Sequence, residues 1–389
     1  MERLVPKLFF HLDQLLSNHW ELKPLREVAP LSNGYSFSKD HHDDSSDYVM
    51  VTISSLKNRR YLDTSASNKV IVPKNISSHQ KLKPGDVLIA MSGATVGKIG
   101  QVDIPNGLLN QRVGLLKPTS CLNKNFLFYS LEAMDFEKKI KQNAAGGAQP
   151  NIGKVEIENF LIPIPSLPEQ EKIAGFLSAL DSRIELQEKK ISLLKEQKKG
   201  YVQRIFNREL RFQDDNGHPY PEWEEKTLSE LVKAYQPKTI SQAEFTQTGY
   251  PVYGANGRIG YYSEYNHIEG QVLVSCRGEN SGKINQSHEP AWITGNSMVV
   301  APFDEKVLSK SFLYHLLDNA NLKKIVSGSG QPQITRIPLV NLKFNFPFLP
   351  EQEKIAKFLS ALDEKISLEE QKLAKYMVEK KGYMQRIFG

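Results

Sequence analysis

The sequence is poor in cysteine and has no long hydrophobic run. Its 389 residues include only two cysteines, Cys121 and Cys276, which are far apart along the chain. Two distant cysteines argue against a disulfide framework and a zinc cluster, and they fit a reducing cytosol. No stretch reaches the roughly 18 apolar residues of a transmembrane helix. The first residues include Glu2 and Asp13 and lack the cleavage site of a signal peptide. We therefore expect a cytoplasmic protein without a membrane span.

A strong charge of one sign is also missing. Lys and Arg number 50 against 44 acidic residues, which gives a net charge of +6. This mild excess permits a nucleic-acid partner but does not require one. Apolar residues make up 40% of the chain and charged residues 24%, a globular composition that excludes a disordered or collagen-like chain. The length fits two or three domains.

The motifs of common catalytic sites are absent as well. Two segments resemble a phosphate-binding loop, but each is one residue short and ends in Ile where Ser or Thr would hold magnesium; these are Gly93–Ile99 and Gly278–Ile284. A turn with glycine at positive φ explains them better. Matches to deaminase, nuclease and methyltransferase motifs are incomplete; they are His267-x-Glu269, Asp304-Glu-Lys306, Asp363-Glu-Lys365 and Asn345-Phe-Pro-Phe348. We therefore predict no catalytic, cofactor-binding or metal-binding residue, and a chain that binds rather than catalyses.

The chain contains an internal repeat. Residues 167–206 and 349–388 are identical at 26 of 40 aligned positions, with an offset of 182. The regions before these copies match more faintly, for example Trp20-Glu-Leu-Lys23 with Trp223-Glu-Glu-Lys226. The order is thus variable module, fixed segment, variable module, fixed segment. This contrast indicates a shared scaffold whose two modules perform different versions of one task.

The fixed segments are predicted to be long helices. Pro168 and Pro350 suit a first helical turn, and acids follow each of them, as the helix dipole favours. Apolar residues then recur with heptad spacing, which predicts a coiled coil. The predicted seam consists of Ile173, Leu177, Leu180, Ile184, Ile191 and Leu194 in the first copy and Ile355, Leu359, Leu362, Ile366, Leu373 and Tyr376 in the second.

Polar residues interrupt both seams at equivalent places, Gln187 and Lys198 in the first copy and Glu369 and Lys380 in the second. Polar seam residues often determine register and orientation. We expect the helices to pair antiparallel, related by an approximate two-fold axis. The alternative is that each helix only packs on its own module, although a helix in that position usually shows a broader apolar stripe.

The variable modules are predicted to be α+β, with irregular sheets that carry loops. Short β-rich runs such as Asp86–Ala90 and Val272–Ser275 are punctuated by Gly, Asn and Pro. Helical stretches follow near 123–142 and 309–326. The turn-rich stretch Asp214–Pro221 is predicted to link the two halves.

The repeated segments identify a family resemblance. Leu-Pro-Glu-Gln-Glu-Lys-Ile-Ala-x-Phe-Leu-Ser-Ala-Leu-Asp and the helix end Lys-Lys-Gly-Tyr-x-Gln-Arg-Ile-Phe resemble the two conserved regions of the specificity (S) subunit of type I restriction–modification enzymes. Glu209–Gly217, Tyr220–Trp223 and Asn110-Gln111 also resemble this family. The resemblance covers about Trp20 to Phe388, and residues 1–19 depart from it because they lack the Leu-Arg-Phe entry found before Trp223.

The resemblance implies a domain organisation. It comprises an N-terminal segment (1–19), target-recognition domain 1 (20–166), conserved region 1 with a spacer helix (167–207), a linker (208–222), target-recognition domain 2 (223–348) and conserved region 2 with a second spacer helix (349–389). Each recognition domain would bind half of a bipartite site in double-stranded DNA, and the helices would set the gap between the halves.

The resemblance also implies partners. Two methyltransferase (M) subunits would dock on the helices and bring S-adenosylmethionine for adenine methylation, and restriction (R) subunits with ATP and magnesium would add cleavage. This chain itself would bind no cofactor and would have no active site.

The candidate DNA-binding residues are those whose side chains suit base edges or phosphates. In the first module they are Lys57, Arg59, Arg60, Thr95, Lys98, Gln111, Arg112 and Gln149. In the second they are Tyr253, Asn256, Arg258, Arg277, Asn280, Lys283, Asn296, Gln331 and Gln333. Glycine-rich spots at Gly146-Gly147 and Gly328-Ser-Gly330 either let DNA approach the backbone or form plain loops.

Two questions stay open at this point. The lysine pairs Lys198-Lys199 and Lys380-Lys381 lie either on a solvated face or opposite the DNA spacer or an M subunit. The chain as a whole is a specificity subunit, or alternatively a stand-alone or decoy binder of bipartite DNA without associated methylation. A self-contained restriction or methylation enzyme would require motifs that the sequence lacks.

Overall fold

The computed structural model describes residues 20–57, 59–143, 151–288, 290–328 and 330–389. The segment 1–19, Gly146-Gly147 and the candidate Gln149 therefore lie outside the described residues. The chain forms two compact units. Unit 1 comprises the residues up to Glu188 together with Lys372–Gly389, and unit 2 comprises Lys189–Gln371. Each unit contains one variable module and a stretch of each long helix.

Unit 1 is an α+β structure, as predicted. Its strands are β1 (Glu21–Pro24), β2 (Leu31–Asn33), β3 (Val49–Val51), β4 (Val87–Ala90), β5 (Ile99–Gln101), β6 (Gly107–Leu109), β7 (Val113–Leu116) and β8 (Leu161–Ile164). Its helices are α1 (Leu25–Val28), α2 (Lys124–Ala133), α3 (Phe136–Asn143), α4 (Lys154–Glu158) and the first part of α5 (Leu167–Phe206). The main sheet is antiparallel with the order β2-β7-β4-β5; β1 pairs antiparallel with β8, and β3 pairs parallel with β6.

Unit 2 repeats this plan with its own additions. Its strands are β9 (Glu224–Thr227), β10 (Val232–Tyr235), β11 (Tyr250–Gly254), β12 (Gly257–Tyr262), β13 (Val272–Ser275), β14 (Ile284–Gln286), β15 (Trp292–Ile293), β16 (Ser297–Pro302) and β17 (Lys343–Phe346). Its helices are α6 (Leu228–Leu231), α7 (Lys310–Asn319), α8 (Arg336–Val340) and part of α9 (Leu349–Phe388). The sheet order β10-β16-β13-β14 matches that of unit 1, and β17 pairs with β9 as β8 does with β1. Strand β11 pairs parallel with β15 as β3 does with β6, and strand β12, which pairs antiparallel with β11, is an addition in unit 2.

Strand β4 is apolar throughout because it is buried on both faces. Side chains alternate across a strand, so Val87 and Ile89 join the core that contains α2, while Leu88 and Ala90 join a second cluster on the other face. Strand β13 divides in the same way, with Val272 facing the core of α7. A doubly buried strand shows a continuous apolar run instead of alternation.

The conserved Pro-Glu-Gln-Glu sequence ties each long helix to its own module. The Gln170 side chain accepts a hydrogen bond from the Asn123 backbone N–H at 2.8 Å and donates to the Pro165 carbonyl at 2.9 Å. Gln352 repeats both contacts, with the Ser309 N–H at 2.9 Å and the Pro347 carbonyl at 2.9 Å. Both glutamines are buried, so each connects the first turn of a long helix to the residue that caps α2 or α7.

The two long helices pair antiparallel, as predicted. In unit 1 the Phe176 ring packs against the Tyr383 ring at 5.0 Å between centroids, and Arg183 Nη2 donates to the Tyr376 hydroxyl at 2.9 Å. Residue numbers increase along α5 in the direction in which they decrease along α9, so the two helices run antiparallel. Unit 2 shows the same order on its own, from Lys190–Glu369 at 3.0 Å to Tyr201–Phe358 at 5.0 Å between centroids.

The predicted seam residues are all buried or half-buried within their units. The first turns of each helix also pack on their own module: Ile173 and Leu177 belong to the core of unit 1, and Ile355 and Leu359 to that of unit 2. Pairing between helices and packing on a module therefore occur together, and the alternative of module packing alone is wrong.

Equivalent lysines of the two helices are held in ion pairs. Lys380 Nζ lies 2.8 Å from Asp181 Oδ1 in unit 1, and Lys198 Nζ lies 2.5 Å from Asp363 Oδ1 in unit 2. Both lysine side chains are largely buried, with 14% and 16% exposed. This placement favours a structural role for these two lysines, while Lys199 and Lys381 are exposed.

In unit 1 the ion pair extends into a buried network. Asp181 accepts from the Tyr129 hydroxyl at 2.6 Å, and the same hydroxyl accepts from Arg60 Nη1 at 2.7 Å. Arg60 Nη1 also lies 3.7 Å from Asp181, with both side chains under 10% exposed. Lys380 contacts Glu132 as well, at 3.0 Å. Burial and then the hydrogen bond to Asp181 raise the pKa of Tyr129, so the phenol stays protonated.

Unit 2 has a histidine where unit 1 has Tyr129. His315 is 3% exposed; its Nε2 lies 3.1 Å from Ser360 Oγ and its Nδ1 lies 3.9 Å from Asp363. The pKa of His315 is lowered from 6.5 to about 4, mainly because burial disfavours the charged form; Asp363 opposes this shift and Lys198 adds to it. The imidazole is therefore neutral at neutral pH.

The low pKa of His315 predicts acid sensitivity of unit 2. Between pH 6.5 and 4 the unfolded chain binds a proton that the folded chain does not, so stability falls as pH falls. We expect native-state hydrogen exchange of α7 to show a loss of about 2 kcal/mol between pH 7.5 and 4.5. His315→Tyr, which copies unit 1, should reduce this loss. Equal pH dependence in both proteins would contradict the prediction.

No helix in the described part of the chain is long and apolar enough to cross a membrane.

Candidate nucleic-acid interface

One loop has the same backbone conformation in both modules. We call residues 91–98 tip loop 1 and residues 276–283 tip loop 2. Two glycines at matching positions in each loop have positive φ, namely Gly93 (74°) and Gly97 (82°), and Gly278 (77°) and Gly282 (92°). Such angles suit glycine, which has no Cβ. The incomplete phosphate-loop motifs are therefore turns, as predicted.

The hydrogen bonds of the two tip loops also match. Each begins and ends on a strand, with Ala90 N donating to the Lys98 carbonyl at 2.8 Å in tip loop 1 and Ser275 N to the Lys283 carbonyl at 2.9 Å in tip loop 2. Lys98 N donates to the Thr95 carbonyl at 3.0 Å, and Lys283 N to the Asn280 carbonyl at 3.0 Å. The two loops are thus equivalent scaffolds at the ends of β4 and β13.

Two further loops and the β11–β12 turn meet tip loop 2. The Cys276 N–H donates to the Asn296 carbonyl at 3.0 Å, and the Ile334 N–H donates to the Cys276 carbonyl at 3.0 Å. Gly278 N donates to the Pro332 carbonyl at 2.9 Å. The Asn280 side chain also donates to the Asn256 side chain of the β11–β12 turn. In the second variable module (residues 223–348, here module 2), several loops therefore lie side by side.

Tip loop 1 has the same neighbours in module 1. Met91 N donates to the Arg112 carbonyl at 2.9 Å, and Ile152 N donates to the Met91 carbonyl at 3.0 Å. Ser92 forms a bridge with Asn151. Backbone hydrogen bonds thus bring the three segments together in both modules, although their sequences barely agree.

The side chains on the two tip loops differ. Tip loop 2 carries exposed Arg277, Glu279 and Asn280, whereas the equivalent positions of tip loop 1 hold Ser92, Ala94 and Thr95. Lysine follows the second glycine in both loops, as Lys98 and Lys283. Two modules that bind different DNA sequences in the same way need the same loop backbone with different side chains.

The structure brings many candidate DNA-binding residues into these clusters. In module 1 they are Thr95, Lys98, Gln111 and Arg112. In module 2 they are Asn256, Arg277, Asn280, Lys283, Asn296, Gln331 and Gln333, with Arg258 in the strand beside Asn256. Gln111, Arg112 and most of the module 2 set are exposed, whereas the Thr95 hydroxyl is buried.

Other candidates lie elsewhere. Arg60 belongs to the buried network of unit 1, and Tyr253 is 5% exposed, with its hydroxyl accepting from the His288 N–H at 3.2 Å. The side chains of Arg60 and Tyr253 are thus largely buried and contact other parts of the protein. Lys57 and Arg59 line a cavity of about 1070 Å³ in unit 1, which Lys381 of α9 also lines. None of residues 91–98 lines this cavity.

Sequence reasoning did not select Glu279, Ser92 or Asn151, which lie on or beside the tip loops. Selection by residue type favoured basic and amide side chains, and so it passed over a carboxylate and small polar groups. The internal repeat could have pointed to Glu279, because aligning Gly93 and Gly97 with Gly278 and Gly282 places this residue on the loop.

The site offers no evident nucleophile or metal cluster. Burial raises the pKa of the Cys276 thiol, which disfavours the reactive thiolate. Within the described residues, no group of three or more His, Cys, Asp or Glu side chains is placed to hold a metal ion. The arrangement presents hydrogen-bonding side chains on fixed loops, which is suited to recognition.

Comparison with known sequences gives a consistent result. The family model for the type I restriction modification DNA specificity domain matches residues 17–196 and again residues 220–375. A type I restriction enzyme specificity subunit of Methanocaldococcus jannaschii, MjaVIII, is 27% identical over 361 residues, covering 83% of this chain and 84% of that protein. The EcoprrI specificity subunit of Escherichia coli is 25% identical over 365 residues, covering 88% and 87%.

Solved structures show the same fold. The S subunit of a type I restriction–modification system from M. genitalium superposes with a TM-score of 0.70, at 20% identity, over 96% of this chain and 98% of that one. The doubled family match corresponds to the internal repeat. In this family catalysis lies in the M and R subunits. The chain thus belongs to the DNA specificity (S) subunits of type I restriction–modification systems.

Proposed function

We propose that the two modules, residues 20–166 and 223–348, are target-recognition domains that each bind one half of a bipartite DNA site. The observation that carries this proposal is the pair of tip loops, whose backbone hydrogen bonds agree while their exposed side chains differ. A shared scaffold accounts for a common docking geometry, and different side chains account for different half-sites.

The antiparallel helices α5 and α9 are proposed to set the gap between the half-sites and to dock M subunits. Each repeat ends in one of two helices of similar sequence, so two copies of one partner would have similar surfaces to bind. In the proposed complex, S-adenosylmethionine belongs to the two M subunits, and ATP and magnesium belong to the R subunits. Free Cys121 and Cys276 fit a cytoplasmic complex.

Co-expression with the M subunit tests this function. Single-molecule sequencing of the host DNA should show methylated adenines in a split motif, one on each strand across a constant gap. A complex that binds DNA without methylating it would favour a decoy protein. Failure of the chain to associate with any M subunit would contradict the proposed docking.

The lysine that follows the second glycine of each tip loop is predicted to contact a phosphate. Lys283→Ala should weaken binding to all sequences alike and reduce the slope of log affinity against log salt by about one. Fluorescence titrations over a range of salt concentrations measure both effects. Lys306→Ala, at an exposed lysine before α7, is the control, and an unchanged slope for Lys283→Ala would argue against phosphate contact.

A further inference from the structure

We infer that Glu279 is a specificity-determining residue that accepts a hydrogen bond from the exocyclic amino group of cytosine, N4, in the half-site of module 2. This inference rests on the proposed function, and it adds a chemical class of base to one position of the site. Residue type alone favours Arg, Lys, Asn and Gln for contacts with bases. This inference instead assigns such a contact to an acidic residue.

Glu279 occupies an open and well-anchored position. It is exposed and follows Gly278, where an added Cβ would meet no atom within 4 Å. The loop beneath it is held on both sides, because the Ser281 hydroxyl donates to the Gly278 carbonyl at 2.8 Å and to the Pro332 carbonyl at 2.9 Å. Glu279 is thus an exposed residue on a loop whose backbone is held in place.

The carboxylate has no evident structural task. Among the residues that the structure describes, Glu279 forms neither an ion pair nor a side-chain hydrogen bond, although Arg277 and Asn280 are close in sequence. The equivalent residue of tip loop 1 is Ala94, and that loop keeps the same backbone hydrogen bonds. The scaffold therefore does not require an acid here.

Electrostatics restricts what this carboxylate contacts on DNA. An ionised carboxylate only accepts hydrogen bonds, and the phosphates of DNA are negative, so a phosphate contact is repulsive. In the major groove the available donors are cytosine N4 and adenine N6. Adenine N6 lies beside the acceptor N7, which repels a carboxylate, so cytosine N4 is the donor that fits Glu279. Guanine O6 and N7 and thymine O4 are acceptors, which would repel it. Glu279 therefore discriminates both by attraction to amino groups and by repulsion from carbonyl edges.

Replacing the carboxylate with an amide distinguishes a residue that contacts a base from a residue that only faces solvent. Glu279→Gln keeps the shape of the side chain and removes the charge. For a base-reading residue, affinity for the selected site should fall about tenfold to a hundredfold, while affinity for unrelated DNA should not fall. For a residue that only faces solvent, removing a negative charge should strengthen both affinities by the same factor.

The experiment is selection from a randomised DNA library with the full-length chain co-expressed with its M subunit, followed by sequencing. Wild type should enrich a bipartite site. Glu279→Gln should lose or change the preference for C at one position of one half, and leave the other half unchanged. Glu264→Gln, at another exposed acid of module 2, should change nothing.

The possible failures are distinguishable. An unchanged motif with Glu279→Gln would overturn the role of Glu279 and leave the proposed function intact. A motif altered in both halves would also overturn it, because the effect would not be local to module 2. If wild type itself enriched no bipartite site, the proposed function would fail and this inference with it. Ala94→Glu gives an independent check, since it should alter the preferred base only in the other half-site.

Discussion

Asp181→Ala is expected to destabilise unit 1 by about 3–5 kcal/mol, because it leaves buried cations without their carboxylate. Asp181 is 9% exposed and accepts hydrogen bonds from both Tyr129 and Lys380. Arg60 loses its ion-pair partner, and Lys380 retains only Glu132. Native-state hydrogen exchange in α2, which carries Tyr129, measures the opening free energy of this region.

The internal repeat provides a matched control. Asp363 pairs with Lys198 as Asp181 pairs with Lys380, but Asp363 is 40% exposed. A partly solvated pair contributes about 1 kcal/mol or less, so Asp363→Ala should affect α7 much less. If both variants lost the same opening free energy, the greater burial of Asp181 beside Arg60 would not strengthen its ion pair.

Transfer of the tip loop 1 side chains into tip loop 2 is expected to change one half-site by a factor of about 100 or more. The variant is Arg277→Ser, Glu279→Ala and Asn280→Thr, which copies Ser92, Ala94 and Thr95 onto an equivalent backbone. Each lost base contact costs about 1–3 kcal/mol of discrimination. Methylation mapping of the co-expressed complex should show a new or relaxed second half-site with an unchanged first half-site.

The control replaces the same residue types elsewhere in unit 2. Arg208→Ser, Glu264→Ala and Asn319→Thr remove exposed side chains outside the tip loop and outside α5 and α9, and the motif should stay the same. A change in both half-sites with the tip-loop variant would contradict the modular proposal. An unchanged motif would mean that other loops, such as those at Asn256 and Gln331, read the sequence alone.

The long helices are the part of the fold most fully predicted from sequence. Their bounds, Leu167–Phe206 and Leu349–Phe388, coincide with the predicted segments. Helix periodicity and the proline and acids of the first turn are local signals, and the repeat doubles them. The role of the conserved glutamines was not evident, because Gln170 and Gln352 act through backbone groups distant in sequence.

The candidate site was predictable only in part. The glycines of the tip loops mark positive φ, so these loops were recognisable as turns from sequence alone. Arg60 and Tyr253 were selected for side chains that suit DNA, yet the same chemistry suits buried networks and cores. Glu279 was passed over for the opposite reason, since its charge is disfavoured at a DNA surface except opposite an amino group.

The duplication, the pairing of the long helices and the family were predictable from sequence, because each rests on periodicity or on a doubled local motif. Tertiary structure alone decided which polar residues are available for binding. Burial depends on contacts between segments far apart in sequence, such as Arg60 with Asp181 and Cys276 with Asn296. The free energy of a charged group depends on that burial, so the same residue type is a structural ion pair in one place and a candidate DNA contact in another.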